Sequence, residues 1–342
     1  MSGSRAVTIA RPSPPRRRRR AAAVLALALA AAGLVACGGG DQETDSQTTA
    51  PLTGLPATGS AEERNRPALF VKIENSPDAR PQTGIEVADV VYEVVAEGGI
   101  TRFAAVYQST DPGEFGPVRS VRGQDPDLAG PLRGLAVFAG GIPDYVQQMG
   151  AVAQDLSTSS PLGEAPPFRR DTERRPPHNL YGNAAGFWAM AEDPYDSAPE
   201  PLFTYGAVPA SATPAATVDI DFSPSAAVSW SWDGSAWRRS QGGRPFTVTG
   251  AGRIGPANVI VQFVDVRDSE QIDPAGNPVP ISTLVGTGDA QVFRDGRVVR
   301  GTWTKEDRDS RTRFEVDGED IPLTPGRTWV ELVPTGRSVS VG

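Results

Sequence analysis

Glu93 lies inside Val90-Val91-Tyr92-Glu93-Val94-Val95, a run that would present apolar side chains to both faces of a strand. Such runs belong to strands covered on both sides. A carboxylate placed there is costly unless it is ion-paired or fully hydrogen-bonded. Strand alternation puts Glu97 on the same face, about 13 Å further along. Arg102 follows the Gly98-Gly99 turn and can reach back to either acid, which makes a structural ion pair one reading. The other is acid/base chemistry on a glycan or phosphodiester, with Glu93 or Glu97 donating or accepting the proton.

Two further constellations carry polar chemistry. Arg119 and Arg122 stand three apart behind the Gly116-Pro117 turn, with Ser120 between them. Guanidiniums so placed can clamp a phosphate or carboxylate, or they can neutralise Glu93 and Glu97 inside the protein. His178, Asn179 and Tyr181 follow a loop that also holds Arg169, Arg170, Arg174 and Arg175. A single loop histidine is usually a structural hydrogen-bonder, but a locally basic loop in an acidic chain suits an anion. The catalytic candidates are therefore Glu93, Glu97 and His178; the ligand-binding candidates are Arg102, Arg119, Arg122, Asn179 and Tyr181.

Other chemistries find little support. No serine has a nucleophile-elbow context. Ala139-Gly140-Gly141 matches no phosphate-loop spacing, and Asp219 with Asp221 matches no calcium loop. With one Cys and one His, the chain lacks zinc patterns, so neither metal nor cofactor is expected. Lys305 to Arg313 reads as a solvated hairpin tip. Trp230, Trp232, Trp237, Trp303 and Trp329 read mostly as core.

Location follows from the N-terminus. Arg16 to Arg20 form a basic block, Ala21 to Ala36 is apolar, and Leu34-Val35-Ala36-Cys37 ends it. That order is the tripartite pattern of an export signal, and its end resembles a lipobox. Sixteen apolar residues are short for a span of roughly 20. Residues 1–36 read as a lipoprotein signal peptide, with diacylglyceryl on Cys37 tethering the chain to the outer face of the cell membrane. Their removal takes away seven Arg and no acid, leaving 26 basic residues against 41 acidic ones. So acidic a body is a poor partner for nucleic acid.

The elements that must position these residues follow the same order. Residues 37–65 are polar and read as a flexible tether. Ala68 to Ile73 reads as a strand, and Asp89 to Ala96 with Ile100 to Gln108 as a hairpin across Gly98-Gly99. Leu135 to Phe138 is a short buried strand. Helices are expected after Pro143 and from an Asn183 N-cap, with a long loop over 157–177. The Pro/Ala/Ser segment 193–216 reads as a junction. Beyond it Val228, Trp230 and Trp232 alternate with Ser, Asp295-Gly296 marks a two-residue hairpin, Asp317-Gly318 hints at another, and Asn258 to Val266 and Thr328 to Val333 are strands. The expected fold is α+β: a mixed α/β N-terminal domain over 66–200, then a small, mostly antiparallel β domain over 217–342.

Several stretches carry a resemblance. They include Pro51-Leu52-Thr53-Gly54, Ala88-Asp89-Val90-Val91-Tyr92-Glu93, Glu97-Gly98-Gly99-Ile100-Thr101-Arg102-Phe103, Gly116-Pro117-Val118-Arg119-Ser120, His178-Asn179-Leu180-Tyr181 and Phe293-Arg294-Asp295-Gly296. In these the chain resembles the YerB-like bacterial lipoproteins, the domain of unknown function 3048, from about residue 51 to 334. Ala139 stands where the family pattern leads one to expect His. The resemblance implies an N- and a C-terminal domain and an envelope location, but no activity. The leading expectation is a lipid-anchored envelope protein binding an anionic or glycan ligand in an N-domain cleft. The alternatives are a hydrolase using Glu93 or Glu97, and a non-catalytic structural partner of envelope proteins.

Overall fold

The apolar runs become the middle of one sheet in the computed structural model, which describes residues 49–273 and 276–342. The export signal, Cys37 and the start of the tether lie outside the described residues. Strands β1 (Leu69–Glu74), β2 (Val90–Val95) and β3 (Thr101–Tyr107) pair in the order β2-β3-β1. The edge beyond β1 is completed by Leu135–Val137 and Gln154–Asp155, both parallel. On the other side, Thr328–Pro334 lies parallel to β2 and also parallel to Asn258–Val264. Gly286–Arg294, Arg297–Lys305, Arg313–Val316 and Glu319–Asp320 continue the sheet antiparallel.

A second sheet of five strands runs Arg244–Pro245, Trp237–Gln241, Ala226–Trp232, Thr217–Ser223 and Val339–Val341. It covers one face of the large sheet. Phe103 and Trp329 meet edge to face at 5.3 Å, as do Trp230 and Trp329 at 5.4 Å and Trp237 and Phe293 at 5.7 Å. Tyr145, Met149, Leu202 and Phe203 pack on the opposite face with Phe70, Val106 and Val330. Covering on both sides is why β1, β2 and β3 read as unbroken apolar runs.

Three expectations need correction. The fold is mostly β. The N-terminal half supplies only short helices: α1 (Ala61–Asn65), α2 (Asp125–Ala129), α3 (Pro143–Gly150) and α4 (Ala184–Trp188). Gly130-Pro131 stops α2, while Pro143 and Gly150 bound α3. The tether is shorter than its composition implies, because chain order holds at residue 49. Leu52 and Thr53 are buried, Gly326 N–H donates to the Thr53 carbonyl at 2.7 Å, and Ser60 with Glu63 forms a capping box on α1. The C-terminal half is neither small nor separately cored, since Thr328–Pro334 is the seam joining it to β2. Among the described residues, no helix is long and apolar enough to cross a membrane.

Candidate functional site

The two faces of the large sheet carry two separate polar clusters, and the register explains why. Glu93 lies opposite Phe103, whereas Arg102 lies opposite Val94 on β2 and Glu74 on β1. Directly paired residues share a face. Glu93 therefore points between the sheets, while Glu74 and Arg102 point the other way. Strand geometry ends at Val95, so the alternation that would have kept Glu97 with Glu93 stops, and Glu97 opens a short 3₁₀ turn.

Between the sheets, Glu93 accepts from Arg239 Nη2 at 2.7 and 2.6 Å and from Thr101 Oγ1 at 2.6 Å. Arg239 stands 4.4 Å from the Phe246 ring centroid, with the Phe103 and Trp329 rings beyond. Glu331 occupies the matching register position on the neighbouring strand and accepts from Trp230 Nε1 at 2.6 Å. All three charged side chains are wholly buried. Burial first, and the Glu93 charge second, push the Glu331 carboxyl well above its ordinary range. Glu93 thus has Arg239, not Arg102 or Arg119, as its counter-charge.

The opposite cluster gathers most of the other candidates. Glu97 is held by Arg122 and by Arg102 Nη2 at 3.1 Å. Burial works to raise its pKa, but the Arg122 hydrogen bond and the charges of Arg102 and Arg122 outweigh that and hold it low. Lys72 pairs with Asp125 at 2.7 Å, both wholly buried, and Asp125 also accepts from the Arg122 N–H. Arg119 Nε lies 3.6 Å from Glu74 Oε1, and His178 Nδ1 lies 3.0 Å from the same oxygen. Burial and then the neighbouring Arg122 push the Arg102 guanidinium down to about 10.

This cluster is not fully satisfied. Nε and Nη1 of Arg102, Nε of Arg119 and Oε2 of Glu74 are buried without hydrogen-bond partners. Lys72, Arg102, Arg119 and Arg122 outnumber Glu74, Glu97 and Asp125 by one positive charge. Ser76 Oγ donates to Glu74 at 2.9 Å and sits 3.4 Å from His178 Nδ1. Hydroxyl and acid therefore share one ring nitrogen, whereas a nucleophilic triad needs them on opposite nitrogens.

His178 is also the wall of a cavity of about 630 Å³, lined further by Asp78, Arg80, Glu173, Arg174, Arg175 and Pro176. Arg174 is fixed by the carbonyls of Ala79 and Pro81 at 3.0 and 2.9 Å. Arg175 makes no side-chain hydrogen bond or ion pair among the described residues. Asn179 and Tyr181 take supporting roles. Asn179 accepts from Arg170 at 2.7 Å and donates to the Asp171 carbonyl at 3.0 Å. The Tyr181 ring is buried beneath Arg169 and Arg174, at 5.1 and 5.9 Å. Among the described residues, no group of three or more metal-ligating side chains comes together.

Sequence reasoning missed Glu74, Lys72, Asp125, Arg239 and Glu331. Lys72 and Glu74 did carry a signal, being charges at alternate positions of an otherwise apolar strand, the same anomaly that marked Glu93.

Two family models match this chain, "Protein of unknown function (DUF3048) N-terminal domain" over residues 52–196 and its C-terminal counterpart over 218–330. The chain belongs to the DUF3048 family. A relative in Bacillus subtilis (strain 168), described as "Putative lipoprotein YerB", is 30% identical over 326 residues, covering 90% of this chain and 93% of that one. The crystal structure of the Bacillus subtilis YerB protein matches with a TM-score of 0.72 at 26% identity, covering 86% of this chain and 99% of the other. The two family domains fall on either side of the Pro/Ala/Ser junction, yet the large sheet draws strands from both.

Proposed function

We propose that this chain is an envelope lipoprotein, anchored through Cys37, whose body binds an anionic group of an envelope component at the cluster around Arg102, Arg119 and His178. The observation that carries the reading is the set of unpartnered N–H groups on Arg102 and Arg119, in a cluster with one cation more than its carboxylates. A phosphate or carboxylate oxygen entering there would supply the missing acceptors. The cavity walled by His178, with three arginines and two acids around it, opens to solvent beside the residue that shares Glu74 with Arg119. Anchoring is supported by the basic, apolar and Cys order of residues 16–37 and by the description of the Bacillus relative.

The same geometry favours binding over hydrolysis. Glu93 is sealed against Arg239, and Glu97 is locked to two arginines, so neither is free to exchange a proton with a substrate. A purely structural partner would need an exposed apolar patch. The exposed large hydrophobics among the described residues are only Leu55, Ile272 and Val285.

Arg119 is a quarter exposed, so Arg119→Gln should fold normally. Titration calorimetry with inorganic phosphate and with a carboxylate-bearing glycan fragment should show affinity lower by about tenfold or more, the value of roughly one charge-assisted hydrogen bond. Unchanged affinity in that variant would overturn the assignment. Cys37→Ser should abolish detergent-phase partitioning and leave the N-terminal mass unprocessed.

A further inference from the structure

The segment that replaces part of the expected tether builds a second cavity, of about 520 Å³, between residues 49–65 and the body. Its volume falls within the range of small-ligand sites. Pro51, Leu55, Pro56, Ala61 and Pro199 give it small, flat apolar walls, and threonine and serine hydroxyls stand between them.

Gln108 forms part of its lining. Its side-chain Nε2 donates to the carbonyls of Arg64 at 2.9 Å and Arg66 at 3.4 Å, which fixes which way the amide faces. Oε1 is then the opposite end, and it is buried without a donor. The backbone around it is held firmly, because the Gln108 and Ser109 N–H groups both donate to Asp89, at 2.6 and 2.8 Å. Charges at the rim are already used. Glu63 accepts from the Ser60 N–H at 2.6 Å, and Arg64 donates to the Gly59 carbonyl at 2.7 Å.

We propose that this cavity binds a short uncharged peptide segment, one of whose backbone N–H groups is taken by Gln108 Oε1. A buried acceptor lacking a donor calls for a ligand that donates. Small apolar walls interrupted by hydroxyls match a chain of amides with small side chains. Among the described residues no aromatic ring lines the cavity, so a sugar would have no face to stack on there. The cavity is distinct from the basic cluster, and neither assignment depends on the other.

The test uses the full chain in detergent solution and acetyl-Ala-Ala-Ala-amide as probe, followed by saturation-transfer NMR and calorimetry. Wild type should bind, and inorganic phosphate should not compete. Ala61→Trp, on the exposed helix α1, fills the cavity and should lower affinity at least tenfold without changing the melting temperature. Gln108→Leu should lower it by a similar factor. Absence of binding, affinity unaffected by Ala61→Trp, or binding of N-acetylglucosamine in place of the peptide would overturn the proposal.

Discussion

Between the two sheets, Glu93 takes the Arg239 guanidinium, while Glu331 in the facing register position has only the Trp230 N–H, and all of them are shut from solvent. The two carboxyls cannot both ionise cheaply at that spacing. An unfolded glutamic acid titrates near 4.3, whereas folded Glu331 keeps its proton to much higher pH. Between those two values the folded state holds the extra proton, so the contribution present at acid pH is lost as pH rises through the folded value. Glu331→Gln mimics the protonated acid and keeps an acceptor for Trp230. Calorimetric melts of wild type and variant should therefore diverge as pH rises above about 4.3, the variant gaining, and converge toward acid. Parallel profiles would mean that Glu331 is ionised in the fold. Glu97 acts in the opposite sense: its folded pKa is lowered, so its stabilisation is present above the unfolded value and is lost on acidification. Glu93 was legible in the sequence as an anomaly, because an acid in an apolar run must have a partner. Arg239 was not, standing 146 residues away in a segment whose alternation gives no hint of what it faces.

Elements built from local signals were the readable ones. Asp295 and Gly296 both adopt positive φ, at 50° and 67°, as a two-residue turn requires, and Asp317 with Gly318 does the same at 53° and 83°. Asn183 caps α4, accepting from the Gly186 N–H at 3.0 Å. The short edge strands at Gln154–Asp155 and Phe168–Arg170 were not readable, since two or three residues carry no period. At this scale the loop carrying Arg119 depends on Gly116. Its φ is 151°, and an added Cβ would stand 2.7 Å from Tyr181 Cδ1 and 3.0 Å from the Leu180 carbonyl oxygen. Gly116→Ala should cost about 1–3 kcal/mol by forcing that contact apart. Because Tyr181 supports Arg174, phosphate affinity should fall with it; a variant with wild-type melting and affinity would show the loop to be freely adjustable.

For the whole molecule, pairing between distant segments decides what sequence patterning cannot. Nothing local in Thr328 to Val333 says that this strand lies between Val90–Val95 and Asn258–Val264, parallel to both. Limited proteolysis within 193–216 should consequently nick the chain without separating it: gel filtration under native conditions should give one species, and denaturing electrophoresis two fragments. Release of a free, folded C-terminal fragment would contradict the shared sheet. The central place of that late strand also sets a sequence of events in time. A chain emerging from a ribosome or crossing a membrane with its N-terminus leading delivers residues 328–334 after every other strand of the large sheet. Until they arrive, β2 and Asn258–Val264 each have an open edge, and a loop of more than two hundred residues must close to bring Thr328–Pro334 onto β2. Assembly of the central sheet is therefore a late and slow step, during which the open edges invite wrong partners. A chain truncated before residue 328 would be left at that stage permanently.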